Sequence, residues 1–145
     1  RGLPTLFLEA ALDSNIAPRE LNEIFVYGTL MKGESRHYFI EKANIKYLEE
    51  ASSKGKLLHI SDFPGLICDY NSKVLGELYR CKAISQTLLE LDRIEGFYGY
   101  GFNDSLFFRI ISKIEVKGKF VWAWTYLFNG ESGEEIPSGS WRQRN

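Results

Sequence analysis

Residues 106–116 and 120–128 form two long runs rich in β-branched and aromatic residues, separated only by Lys117-Gly118-Lys119. A connection that short cannot carry a crossover, so the two runs must pair as an antiparallel hairpin. The charged residues from Lys113 to Lys119 then fall at a solvated tip. Any fold for this chain has to be built around that ribbon. Other strand signals surround it. Ile24-Phe25-Val26-Tyr27 reads as a buried strand ending at Gly28, and residues 55–60 as another. Residues 66–70 and 74–79 flank the polar tripeptide Asn71-Ser72-Lys73, which predicts a second hairpin.

Two segments carry helical spacing. Residues 35–43 predict a helix with Ser35 as N-cap and Tyr38, Phe39 and Ala43 on its inner side. A second helix is expected over 85–94, stopped by Gly96. Residues 96–105 read as a loop rich in glycine and aromatics, and the chain from Asn129 as irregular. Strands therefore outnumber helices, and hairpins make the sheet antiparallel or mixed. Aromatic residues make up 14% of the 145 residues, enough to fill a small barrel. The expected class is α+β: a compact mixed β-barrel with flanking helices. Residues 23–145 make one domain by length. Residues 1–22 read as an N-terminal arm or extension, in which Leu6, Leu8, Ala11 and Leu12 suit a short helix before Pro18.

Charge and cysteine usage narrow the function. Lys and Arg total 18 against 19 Asp and Glu, a net charge of −1, which lacks the basic footprint that nucleic acid requires. No run of apolar residues is long enough to span a membrane. The two cysteines, Cys68 and Cys81, form neither a disulfide framework nor a zinc spacing. Both are expected as small buried apolar residues, and a reducing cytoplasm is the expected setting. His37 and His59, the two histidines, have no partner at metal-ligand spacing, so no metal or other cofactor is expected.

Glu95 carries the clearest chemical signal. Ile84, Leu88, Leu91 and Glu95 fall in one helical stripe, which places a carboxylate among core residues. Burial disfavours its charged form, and the carbonyls of the last helical turn act in the same direction. A carboxylate raised in this way suits a general acid or base near neutral pH. Tyr27-Gly28-Thr29-Leu30 is the second signal. A strand running into a glycine turn can align successive N–H groups into an anion cradle. Gly28 to Ser35 (G-T-L-M-K-G-E-S) is one residue away from the phosphate loop G-x-x-x-x-G-K-[ST]. Glu34 occupies the lysine position and would repel phosphate, which excludes that reading. Glu77 alternates with Gly76 and Leu78 and could face either side of its strand. Trp122, Trp124 and Tyr126 share one strand face, a pattern of core more than of base stacking.

Taken together, these residues resemble the γ-glutamylcyclotransferase-like family, which includes the AIG2-like proteins. The resemblance runs through Val26-Tyr27-Gly28-Thr29-Leu30, Val74-Leu75-Gly76-Glu77-Leu78-Tyr79 and Leu91-Asp92-Arg93-Ile94-Glu95-Gly96. It continues at Arg109, at 122–126 and at Ile136-Pro137-Ser138-Gly139-Ser140-Trp141, spanning about residues 24–141. In place of the family's Y-x-R this chain reads Phe107-Phe108-Arg109, without the hydroxyl. The resemblance implies a compact mixed barrel and a reaction that needs no cofactor. In it a small γ-glutamyl amine or peptide cyclises, its α-amine attacking its γ-carbonyl to release 5-oxoproline and a free amine. By resemblance Glu95 moves the proton, and Tyr27, Gly28, Thr29 and Leu30 offer backbone contacts to the γ-glutamyl group. A non-catalytic relative binding a small ligand or a partner through the same pocket is the alternative, and turnover separates the two.

Overall fold

The long hairpin is the backbone of the fold. In the computed structural model, which describes residues 21–43 and 45–144, strand β6 (Phe107–Val116) pairs with β7 (Lys119–Phe128) from Phe107↔Phe128 to Val116↔Lys119. Lys117 and Gly118 both adopt positive φ, 49° and 76°, as a two-residue turn matched to strand twist demands. Ile110, Ser112 and Ile114 of β6 and Ala123 and Thr125 of β7 are fully enclosed. The remaining barrel strands are β1 (Glu23–Val26), β2 (Lys46–Lys54) and β5 (Lys73–Arg80). The order around the closed barrel is β1-β5-β2-β6-β7. One parallel bridge, Ile24↔Trp124, joins β7 back to β1, and the other pairs are antiparallel. The mixed barrel with few helices is the architecture that hairpins and aromatics predicted.

Several local expectations are corrected. The segment 66–70 does not pair with 74–79. Instead β3 (Lys56–His59) and β4 (Pro64–Ile67) pair with each other, from Lys56↔Ile67 to His59↔Pro64, in a separate sheet. The Asn71 N–H does bond to Asp69 Oδ1 at 2.8 Å, so the polar tripeptide turns the chain. It turns it out of the small sheet and into the barrel, where β5 has better partners in β1 and β2. The tail beyond Asn129 adds a short strand, β8 (Glu134–Glu135), on the other edge of β3. Strand β2 carried no sequence signal, because its enclosed positions are Ala51 and Ser53 and not large apolar residues.

The first helix is also shorter than expected. Helix α1 spans Tyr38–Lys42, its N-cap is His37 with no side-chain cap bond, and Ser35 lies in the preceding turns. Ile40 is its anchor, fully buried, whereas Tyr38 and Ala43 are exposed. Helix α2 (Ile84–Glu95) agrees closely with the sequence reading. It seats Leu88 and Leu91 in the core, and Gly96 closes it at φ 68° with the Phe97 N–H on the Asp92 carbonyl at 2.8 Å. Leu21 and Asn22 touch the barrel: Trp124 Nε1 donates to the Leu21 carbonyl and Cys81 N–H to that of Asn22. Residues 1–20, with the helix expected over 6–12, lie outside the described residues. Cys81 is buried beside the Thr87 hydroxyl, but Cys68 is exposed, contrary to the reading of both as core.

Candidate active site

A pocket of about 570 Å³ of empty space, partly open to solvent, lies where α2, the turn after β1 and the start of β6 converge. Tyr27, Gly28, Thr29, Leu30 and Glu95 all line it. The structure thus brings together every site residue read from the sequence, although 65 positions separate the turn from the carboxylate. Phe63, Pro64, Leu106 and Phe107 form its apolar walls, and Arg36, which the sequence reading did not single out, lines it as well.

The turn is built by crowding and not by a left-handed glycine. Gly28 is absent from the positive-φ glycines. A Cβ there would come within 2.7 Å of Pro64 Cγ and 2.9 Å of Cδ, so glycine is needed for the close approach of β4. After Gly28 the chain coils tightly, with Met31 N–H on the Gly28 carbonyl at 3.1 Å and Arg36 N–H on that of Thr29 at 2.8 Å. The Leu30 carbonyl contacts His37 Nδ1 at 2.8 Å. These bonds consume carbonyls and leave amides. The N–H groups of Gly28, Thr29 and Leu30 donate to no acceptor among the described residues. All three residues are buried. Unpaired buried amides are rare and costly, which marks a place prepared for an acceptor.

Tyr27 fixes the floor. Its hydroxyl donates to the Tyr126 carbonyl at 2.7 Å and accepts from the Leu66 N–H at 3.1 Å, joining barrel to small sheet. Burial, with Glu95 nearby, pushes its ionisation far above the ordinary phenol range. The hydroxyl is committed to structure and stays protonated. Tyr126 is committed too, its hydroxyl donating to Asp92 Oδ1 at 2.6 Å. Asp92 sits one turn before Glu95 on α2, so this bond clamps the end of the helix to β7. Burial raises the Asp92 carboxyl, against the opposing effects of the Tyr126 bond and of Arg109. Arg109 stands 3.6 Å from Asp92 Oδ2, between the rings of Trp124 and Phe97 at 4.7 and 5.7 Å. On this face of β7 only Tyr126 is buried; Trp124 lies under Arg109 and Trp122 under Lys113, and both tryptophans are half-buried, outside the core that the sequence pattern suggested.

Glu95 ends up half-buried at the pocket, its carboxyl group packed among apolar neighbours and without a hydrogen bond from any described residue. Desolvation lifts its pKa from 4.5 to about 7, and the positive charge of Arg36 pulls weakly the other way. A carboxyl group that divides its time between two protonation states near neutral pH can both take and return a proton.

Glu77 turns inward, settling the ambiguity of its strand. It is 3% exposed and fully satisfied: Lys32 N–H and Tyr79 OH reach Oε1 at 2.8 and 2.9 Å, and Arg142 Nη2 reaches Oε2 at 3.0 Å. The same guanidinium donates to the Lys32 carbonyl at 2.6 Å. Both polar groups of the Lys32 backbone are thereby fixed, and the loop that follows the amide turn is held against β5. Glu34, in the position where a phosphate loop carries lysine, lies 3.9 Å from Arg142. His59 packs edge-on against Trp141. No group of potential metal ligands occurs among the described residues, and none of their helices is long and apolar enough to cross a membrane.

Comparison with known proteins bears on the family and the fold. The family model described as gamma-glutamyl cyclotransferase, AIG2-like, matches residues 24–143. The gamma-L-glutamyl-butirosin B gamma-glutamyl cyclotransferase of Niallia circulans is 33% identical over 121 residues, covering 83% of this chain and 75% of the relative. Among solved structures, YkqA from Bacillus subtilis superposes with a TM-score of 0.66 at 24% identity, over 83% of this chain and 39% of that one. An AIG2-like protein from mouse superposes with a TM-score of 0.60 at 18% identity, over 77% and 79% of the two chains. These two likenesses show the fold.

Proposed function

The chain belongs to the gamma-glutamyl cyclotransferase, AIG2-like family, and we propose that it converts a small γ-glutamyl amine or peptide to 5-oxoproline and a free amine. One observation carries this reading: a single pocket joins a carboxyl group titrating at about 7 to three successive amides with no internal acceptor. The substrate's γ-carbonyl oxygen sits at the N–H groups of Gly28, Thr29 and Leu30. Folding of the γ-glutamyl chain brings its own α-amine onto the carbonyl carbon. Because the attack is within one molecule, holding the bent conformer supplies much of the rate. The new C–N bond closes the five-membered ring, and negative charge collects on the oxygen facing the amides. Glu95 takes the proton released by the attacking nitrogen and delivers it to the departing nitrogen as the old amide bond breaks. The protons balance within the cycle, and Glu95 ends as it began.

The leaving group is set by the apolar rim of Phe63, Pro64, Leu106 and Phe107. The name of the Niallia relative specifies γ-L-glutamyl-butirosin B, which makes γ-glutamyl amines the first compounds to assay here. Incubation with γ-glutamyl amines, γ-glutamyl amino acids and γ-glutamyl-ε-lysine, with 5-oxoproline as readout, tests the reading. Glu95→Gln is expected to lower turnover by roughly 10²–10⁴-fold, the usual worth of a positioned acid–base group. Equal product from wild type and variant rules the mechanism out, and binding without turnover identifies the pocket as a non-catalytic receptor.

A further inference from the structure

The pocket holds four ionisable side chains, and their commitments differ. The hydroxyls of Tyr27 and Tyr126 are spent on the Tyr126 carbonyl and on Asp92. Glu95 and Arg36 alone keep open hydrogen-bonding capacity, and both line the cavity. They are not a pair: no nitrogen of Arg36 lies within 4.0 Å of a carboxylate oxygen among the described residues. A cation and a carboxyl group thus line one pocket without pairing, together with the residues of the amide row. The Arg36 backbone is held beside that row, its main-chain N–H bonded to the Thr29 carbonyl at 2.8 Å.

A γ-glutamyl group presents three features to such a wall. Its γ-carbonyl needs donors, its α-amine needs a base, and its α-carboxylate needs a cation beside that base, because amine and carboxylate share one carbon. We propose that Arg36 receives the α-carboxylate of the γ-glutamyl substrate, and so fixes which face of the α-carbon turns its amine toward Glu95 and the γ-carbonyl. This assignment rests on the cyclotransferase reading above and adds to it a requirement for a free α-carboxylate. The planar guanidinium suits a carboxylate in a way that an ammonium does not, through paired N–H donors. The bound carboxylate would also neutralise the cation that otherwise draws Glu95 toward its charged form. Arg36 is then a binding and orienting residue that moves no proton.

Two measurements separate this assignment from the reading it rests on. The first is calorimetric binding of 5-oxoproline, and of its amide lacking the carboxylate, to wild type, Arg36→Met and Arg36→Lys. Wild type should prefer the acid, Arg36→Met should lose about 10- to 100-fold in affinity for it with no change for the amide, and Arg36→Lys should fall between, as expected for a charge-assisted bond. The second is turnover of a γ-glutamyl anilide and its α-carboxamide analogue, where Arg36→Met should raise KM for the first and leave the second unchanged. Thermal melts of the three proteins should coincide, because the guanidinium makes no contact that the fold uses. Turnover with no dependence on Arg36, or equal loss for acid and amide, overturns the assignment and leaves the cyclotransferase reading standing. Binding of 5-oxoproline through Arg36 without turnover supports the assignment and overturns the reading. Neither binding nor turnover overturns both.

Discussion

Glu77 and Glu95 are both carboxylates drawn into the body of the molecule, and their surroundings are opposite. Glu77 meets three donors, one of them a guanidinium, and each of its oxygens is occupied. Glu95 meets no hydrogen-bond donor, and only the positive charge of Arg36 opposes its desolvation. Burial alone therefore says little about what a carboxylate is for. The partnered group is a fastener: it binds β5, the loop after the amide turn and the 3-10 turn at Trp141–Gln143 into one unit. The unpartnered group, which we propose as the proton carrier, has its charged form disfavoured by its own desolvation. Both stand in motifs that the family resemblance marks, so resemblance by itself does not tell fastener from proton carrier. Hydrogen-bond satisfaction does.

Removing each group in turn is the way to break this contrast. Glu77→Ala should cost about 3–5 kcal/mol of stability, because it strands Arg142, the Tyr79 hydroxyl and the Lys32 amide, and a denaturant titration measures it. If Glu77→Ala unfolds at the same denaturant midpoint as wild type, the fastener description is wrong. Glu95 predicts a pH signature of the opposite kind. Its carboxyl titrates at about 7 in the fold against an ordinary 4.5, so the native state binds the extra proton between those values. Stability from this group is complete below pH 4.5 and is lost as pH rises through 7. The fall amounts to about 3 kcal/mol, since each tenfold change in proton affinity is worth roughly 1.4 kcal/mol. Glu95→Gln should lack that fall and be the more stable protein at about pH 8, measured by melts from acid to mildly alkaline pH. A wild-type profile that rises over this range would mean that Glu95 is ionised and satisfied like Glu77. The smallest effect belongs to the wall between them and the small sheet. Gly28→Ala forces a methyl against Pro64 and should cost about 1–3 kcal/mol, with a rise in KM as the amide row shifts.

The sequence showed these two carboxylates unequally. Glu95 was legible because helical spacing is local: Leu88 and Leu91 fix which face is buried, and Glu95 lies in their stripe. Glu77 was not, because alternation along β5 offers two faces and the deciding partners, Lys32 and Arg142, lie 45 and 65 residues away. The same limit explains the strands. The 106–128 hairpin is encoded by its own turn, whereas β4 and β5 flank a good turn and still part company, since the choice between sheets is made by distant strands. Strand β2 escaped notice because barrel closure leaves room there only for Ala51 and Ser53, and Ser53 meets Ser112 at 3.2 Å across the interior. Arg36 gave no signal at all, because a lone arginine after a turn acquires meaning only when a cavity forms beside it.

The Tyr27 hydroxyl has a consequence for how this protein comes into being. It joins positions 39 and 99 residues away along the chain, Leu66 and Tyr126, and so belongs to no fragment that could form early. Contacts of such long range are made only once loop closure has been completed elsewhere, which places the pocket's floor among the last parts to be assembled. The amide proton of Leu66, which donates to this hydroxyl, should exchange with solvent only on global unfolding.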